Sequence, residues 1–145
     1  MRHIIALLLT IFLVSSIYAQ HKRDKWVRLG LFTSCVVFNA VGDGLYDDGH
    51  KLLSKSFKAA SIGSLLVIPI VTHVDRKKGI KYVATFGLLR YAIFDAGYNL
   101  SRNLPYNYVG TTSVQDKLTN KLPPIISSAT KILSLGLVIH LNNKL

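Results

Sequence analysis

Uncharged apolar stretches alternate with short cationic groups along this chain. Fourteen residues from Leu29 to Gly42 carry no charge. Leu29, Leu31, Phe32, Cys35, Val36, Val37, Phe38, Ala40 and Val41 cover every side of a helix there. Fourteen more uncharged residues run from Ala59 to Thr72. A helix in a water-soluble bundle shows water a broad polar face, and neither stretch has one. Two further segments embed charges in apolar surroundings: 82–100 contains Arg90 and Asp95, and 125–141 contains Lys131. Pro123-Pro124 suits the first turn of the last helix and Asn142-Asn143 its end. The pattern predicts an all-α fold, a small integral membrane helical bundle of about four helices, with spans at 27–42, 59–74, 82–100 and 124–141. Uncharged runs of this length also occur in buried helices of soluble proteins, so an exported soluble bundle is the competing reading. A chain this small has too little mass to hide two such helices from water.

The first residues have their own layout. Met1-Arg2-His3 precedes an apolar run from Ile4 to Val14, broken only by Thr10, and small residues lead to Ala19. That is the three-part order of a secretory signal. Its apolar centre is short against the ~20 residues of a membrane span. The cations of His21-Lys22-Arg23-Asp24-Lys25 oppose export of the chain beyond them. Residues 1–19 are therefore read as a signal peptide or a first membrane helix, and 20–145 as a single helical domain. The expected compartment is the bacterial cytoplasmic (inner) membrane. Loops on one side of the expected spans hold nine Lys and Arg, and those on the other hold six.

Composition narrows the classes. The chain has 145 residues, 50% hydrophobic and 17% charged, with a formal net charge of +11 and mean hydropathy of +0.33. This excludes a disordered chain and counts against an ordinary cytosolic domain. Cys35 is the one cysteine, so no disulfide forms within the chain, and it reads as a small hydrophobe. All seven acids are aspartates. The cations punctuate apolar segments, which suits a lipid bilayer with anionic head groups as partner. Nucleic acid would require them on one face with stacking aromatics, and is not expected. The small pairs Ala40/Gly44, Ala59/Gly63 and Ala92/Ala96 permit close helix crossing, within the chain, in a homo-oligomer or against another membrane protein.

Candidate chemistry is confined to polar residues near or inside these segments. Asn39, Asp43 and Asp47 are spaced i, i+4, i+8 and share a face if the first helix extends that far. With Asp48 and His50 they offer oxygen and nitrogen donors to a divalent cation. The spacing fails the EF-hand pattern, and Gly42, Gly44 and Gly49 instead predict a turn. Arg90, Asp95 and Asn99 form the second group. Arg90 and Asp95 lie about 140° apart around a helix, so Arg90 is expected to reach Asp43 or Asp47 on a neighbour. Lys131, beside Ser127, Ser128, Thr130 and Ser134, has three options: to snorkel, to face a cavity or to meet an aspartate. Asn39, Asp43, Asp47, Arg90, Asp95, Asn99 and Lys131 thus make up a candidate intramembrane polar site.

No nucleophile elbow, zinc-protease helix or phosphate loop occurs, and the five histidines have no metal-ligand spacing. No catalytic residue, metal or cofactor is expected. The predicted role is a non-enzymatic membrane-embedded structural or interaction module. The alternatives are a small enzyme or carrier acting on lipid head groups or ions, and a pore former.

Overall fold

The structure, a computed structural model, describes residues 24–105, 108, 121 and 123–145. The segment 1–19 and most of the loop between the last two helices lie outside the described residues. Those described form four α-helices and no strand. They are α1 (Asp24–Asp47), α2 (Lys51–Val71), α3 (Gly79–Ser101) and α4 (Pro124–Asn143), with a single 3-10 turn at Arg76–Lys78.

Local chemistry explains the boundaries. α1 opens with Asp24, an acid at the positive end of the helix dipole. α2 carries Pro69 in its last turn, which removes a backbone donor there. Both the backbone N–H and the hydroxyl of Thr72 then donate to the Ile68 carbonyl. The Asp75 carboxylate accepts from the Lys77 N–H at 2.9 Å and caps the 3-10 turn. α3 ends with Asn103 in the left-handed region (φ 54°), a position short polar residues tolerate at helix ends. α4 begins with Pro124, whose missing N–H costs nothing in a first turn.

The turn expected from the glycines between 42 and 49 is placed differently. α1 runs through Gly42 and Gly44 to Asp47, and the chain reverses only at Asp48-Gly49, where Gly49 takes φ +85°. The reason is tertiary. A Cβ on Gly44 would collide with Ser101 Oγ and lie 3.0 Å from the Tyr98 carbonyl oxygen; one on Gly42 would sit 3.3 Å from the Ser54 carbonyl oxygen. The glycines are contact points between helices, and that gain outweighs their poor helix propensity.

Side-chain contacts give the topology. Arg28 meets Tyr82, Phe32 meets Phe86, and Ala40 meets Gly97, so α1 and α3 run parallel. Cys35 meets Ser61 and Asp24 meets His73, so α2 runs against α1. Tyr91 meets Thr130 and Lys78 meets Leu145, so α4 runs against α3. α1 packs on α2 and α3, and α3 packs on α4. The helices therefore stand in the order α2, α1, α3, α4. α1 also touches α4 near one end, through Lys25 and Arg28. We call that the Asp24 end and its opposite the Asp47 end.

What lies inside is unusual for a water-soluble bundle. The buried apolar residues are Leu31, Phe32, Cys35, Val36, Ala40, Ile68, Leu89 and Val138. The buried polar residues are Arg28, Ser54, Ser61, Ser64, Thr72, Thr85, Asn99, Ser127, Ser134 and Asn142. Outside, Ile80 is 87% exposed, Leu52 and Ile125 83% each. Leaving one such side chain in water forgoes roughly 1.5–3 kcal/mol of burial energy. Lipid removes that cost, and small polar residues at helix contacts are what packing in lipid favours. α1, α2 and α4 are each long and apolar enough to cross a membrane, as fits a membrane protein. α3 is not among them, since Arg90 and Asp95 lower its hydropathy; it stands between α1 and α4.

Candidate functional site

The seven residues expected as one polar site separate into groups at different depths. Near the middle of the layer, Lys131 Nζ donates to Asp95 Oδ2 at 2.7 Å, joining α4 to α3. The side chains are 21% and 15% exposed. One turn away, the Tyr91 hydroxyl lies 2.8 Å from the Thr130 hydroxyl across the same pair of helices. A lone charge at this depth would be costly, and pairing removes most of that cost. Of the three options for Lys131, the structure selects an aspartate.

Arg90 does not reach Asp43 or Asp47. Its guanidinium lies over the Phe94 ring, 4.1 Å from the centroid, one turn along α3. The aspartates are taken by nearer cations at the Asp47 end. Lys58 Nζ meets Asp43 Oδ1 at 2.9 Å. Arg102 Nε meets Asp48 Oδ1 at 3.2 Å, and Arg102 Nη1 donates to the Tyr98 hydroxyl at 2.7 Å. That hydroxyl in turn donates to Asp47 Oδ2. Arg102, beyond the end of α3, is held above its ordinary pKa, first by the Tyr98 bond and then by Asp48. Asn39 is half-buried on α1. Asn99 is buried and its side chain donates to the Tyr108 carbonyl at 2.8 Å, while its backbone carbonyl accepts from Leu104 N–H and helps close α3. Among the described residues no three His, Cys, Asp or Glu side chains gather to hold a metal ion.

Sequence reasoning missed the group at the Asp24 end. Arg28 is 2% exposed. Its Nε donates to Asn142 Oδ1 at 3.3 Å, and its guanidinium lies 5.4 Å from the Tyr82 ring centroid. Asn142 Nδ2 donates back to the Lys25 carbonyl at 2.7 Å, and Lys25 Nζ donates to Asn143 Oδ1 at 3.0 Å. The signal was faint: Asn142-Asn143 read as a helix end, and a partner 114 positions upstream has no local pattern.

A second missed feature is the seam between α1 and α2. Ser61 Oγ donates to the Cys35 carbonyl at 2.9 Å and touches Cys35 Sγ at 3.2 Å. Ser54, Ser61, Ser64, Ile68 and Thr72 are all buried along α2 and at its end. Their spacing of three, four and seven could have marked this face. Phe38 and Phe57 add an edge-to-face contact at 5.9 Å.

These contacts use the side chains on one another. Asp43, Asp48 and Asp95 are engaged by cations, the Ser61 hydroxyl by the Cys35 carbonyl, and the one free thiol is buried; the buried Ser54 hydroxyl has no hydrogen-bond partner among the described residues. The arrangement can clamp helices at fixed register; among the described residues it presents no assembled nucleophile and base. The chain matches no known protein family, no curated protein and no solved structure.

Proposed function

We propose that the protein is a non-enzymatic, membrane-embedded packing and interaction module, resident in a bacterial cytoplasmic membrane. The observation that carries this reading is the inverted distribution of side chains: small polar residues between helices, large apolar ones on the outer faces of α2 and α4. Supporting it, Asp95 and Lys131, the ion pair nearest mid-depth, are spent on each other. A carrier or enzyme working through the Asp/Arg cluster would require those groups together, and Arg90 stands apart from Asp43 and Asp47. The broad apolar surfaces of α2 and α4 leave room for a second copy or another membrane protein beside lipid.

Alkaline carbonate extraction of the membrane fraction, with intact-mass measurement, tests the reading. The chain is expected in the pellet. Recovery of a clear monomer in buffer without surfactant would overturn the membrane assignment, and the mass would report whether residues 1–19 are retained.

A further inference from the structure

We infer that the Asp24 end of the layer is a docking surface for the phosphate head groups of anionic lipids and faces the cytoplasmic leaflet. The inference rests on the membrane reading above and adds a side and a ligand class to it.

The two ends use their charges differently. At the Asp47 end, Asp43, Asp47 and Asp48 engage Lys58 and Arg102, directly or through Tyr98, and only Lys51 and Lys55, on the first turns of α2, are exposed without an ion pair among the described helical residues. At the Asp24 end, both acids are turned to backbone: Asp24 accepts from the His73 N–H at 3.2 Å, and Asp75 from the Lys77 N–H. None of the four ion pairs among the described residues lies there. Among the described residues, the cations of this end are Lys25, Arg28, Arg76, Lys77, Lys78, Lys81 and Lys144. Arg76, Lys77, Lys81 and Lys144 are exposed, with neither an ion pair nor a side-chain hydrogen bond among the described residues. Lys25 donates to the neutral amide oxygen of Asn143, which leaves its charge uncancelled, while Lys78 donates to a backbone oxygen of Leu145. Arg28 is buried against the neutral Asn142 and Tyr82, with Asp24 one turn away as its acidic neighbour, so it is not counted among the free cations.

Apolar neighbours place this charge at a bilayer boundary. Ile80 and Val83 lie exposed among the lysines, and Trp26 is exposed beside Lys25, whose ammonium sits 5.7 Å from the indole centroid. An indole at the end of a span belongs at head-group level. Unpaired cations just outside a span attract anionic lipids and remain on the cytoplasmic side. A nucleic acid would meet the same cations but would have no use for the isoleucine and valine between them.

Trp26 is the chain's one tryptophan and a built-in reporter. The full chain is reconstituted in vesicles of phosphatidylcholine with roughly 30% phosphatidylglycerol, an anionic surface of the kind juxtamembrane cations recognise. One lipid or the other is brominated to quench indole fluorescence. At equal mole fraction, brominated phosphatidylglycerol is expected to quench at least about twofold more than brominated phosphatidylcholine. The variant Arg76→Gln/Lys77→Gln/Lys81→Gln is expected to bring the two towards parity, and Lys51→Gln/Lys55→Gln at the Asp47 end to leave the preference intact. Equal quenching in the wild-type chain would overturn the inference while leaving the membrane reading standing; no quenching by either lipid would overturn both. Sodium phosphate and sodium chloride at matched ionic strength are expected to weaken the preference equally. Abolition by phosphate alone would mean a soluble anion is the ligand, and would overturn the lipid assignment.

Discussion

At the Asp47 end the acids meet Lys58 and Arg102; at the Asp24 end they accept from backbone, and Arg76, Lys77, Lys81 and Lys144 have no ion pair among the described residues. The two ends also differ in how the helices approach. Ala40 and Gly44 of α1 press against Gly97 and Ser101 of α3 towards the Asp47 end, whereas Gly30, near the Asp24 end, lies on an exposed face of α1 with no atom within 4 Å of where a Cβ would stand. One end is therefore held by close backbone approach and charge pairing. The other is held by larger side chains, Arg28 between Tyr82 and Asn142. Charge near a membrane surface is used either to fix the protein to itself or to fix it to lipid, and this molecule divides those uses between its ends.

The largest expected effect lies between the two ends and calibrates them. Asp95→Ala leaves Lys131 without its partner in an apolar layer and should lower unfolding free energy in detergent by about 3 kcal/mol. Asp95→Leu with Lys131→Leu should recover most of it. A small loss from the single substitution would mean that Lys131 escapes to water, and that the mid-depth pair is not a clamp.

Glycine substitutions sharpen the contrast in packing. Gly44→Ala should cost roughly 1–3 kcal/mol through overpacking against Ser101 and Tyr98. Gly30→Ala should stabilise by about 0.5–1 kcal/mol, because open space surrounds it and alanine is the better helix former. A stabilising effect of Gly44→Ala, as at the exposed Gly30, would show that α1 does not press on α3 there. Unfolding midpoints in a common detergent measure both.

The smallest expected effects concern charge. Asp47→Asn should cost at most about 1 kcal/mol, since its neighbours are partly exposed, and the effect should shrink in high salt. Lys77→Gln should leave stability unchanged within about 0.5 kcal/mol, its exposed ammonium having no partner among the described residues. In sealed vesicles of uniform orientation, maleimide should reach Lys144→Cys and Lys55→Cys from opposite faces, with buried Cys35 unlabelled in both. Labelling of both positions from one face would break the proposal that the two ends lie across a membrane.

Much of the fold could be read from one dimension. The uncharged stretches around Cys35 and Ile68 predict helices because their apolar residues leave no polar face, and α1 and α2 form there. The separation of Arg90 and Asp95 around their helix argues against their pairing, and in the structure each has another neighbour, Phe94 and Lys131. The partner expected for Arg90 is wrong because angle around one helix says nothing about which helix lies alongside, or at what height. The neighbour at the height of Asp43 is Lys58 of α2, 2.9 Å away, while Arg90 on α3 lies over Phe94. The glycines near residue 42 mislead for a related cause: propensity describes an isolated helix, whereas Gly42 and Gly44 lie against α2 and α3.

Hydropathy and charge spacing, both local properties, determined on their own that this chain forms apolar helices with cationic groups towards their ends. Tertiary structure alone decided the pairing of Lys131 with Asp95, the burial of Arg28 against Asn142, and the difference between the ends. Those depend on the order α2, α1, α3, α4 and on helix register, where a shift of one residue turns a side chain by about 100° and moves its partner out of reach.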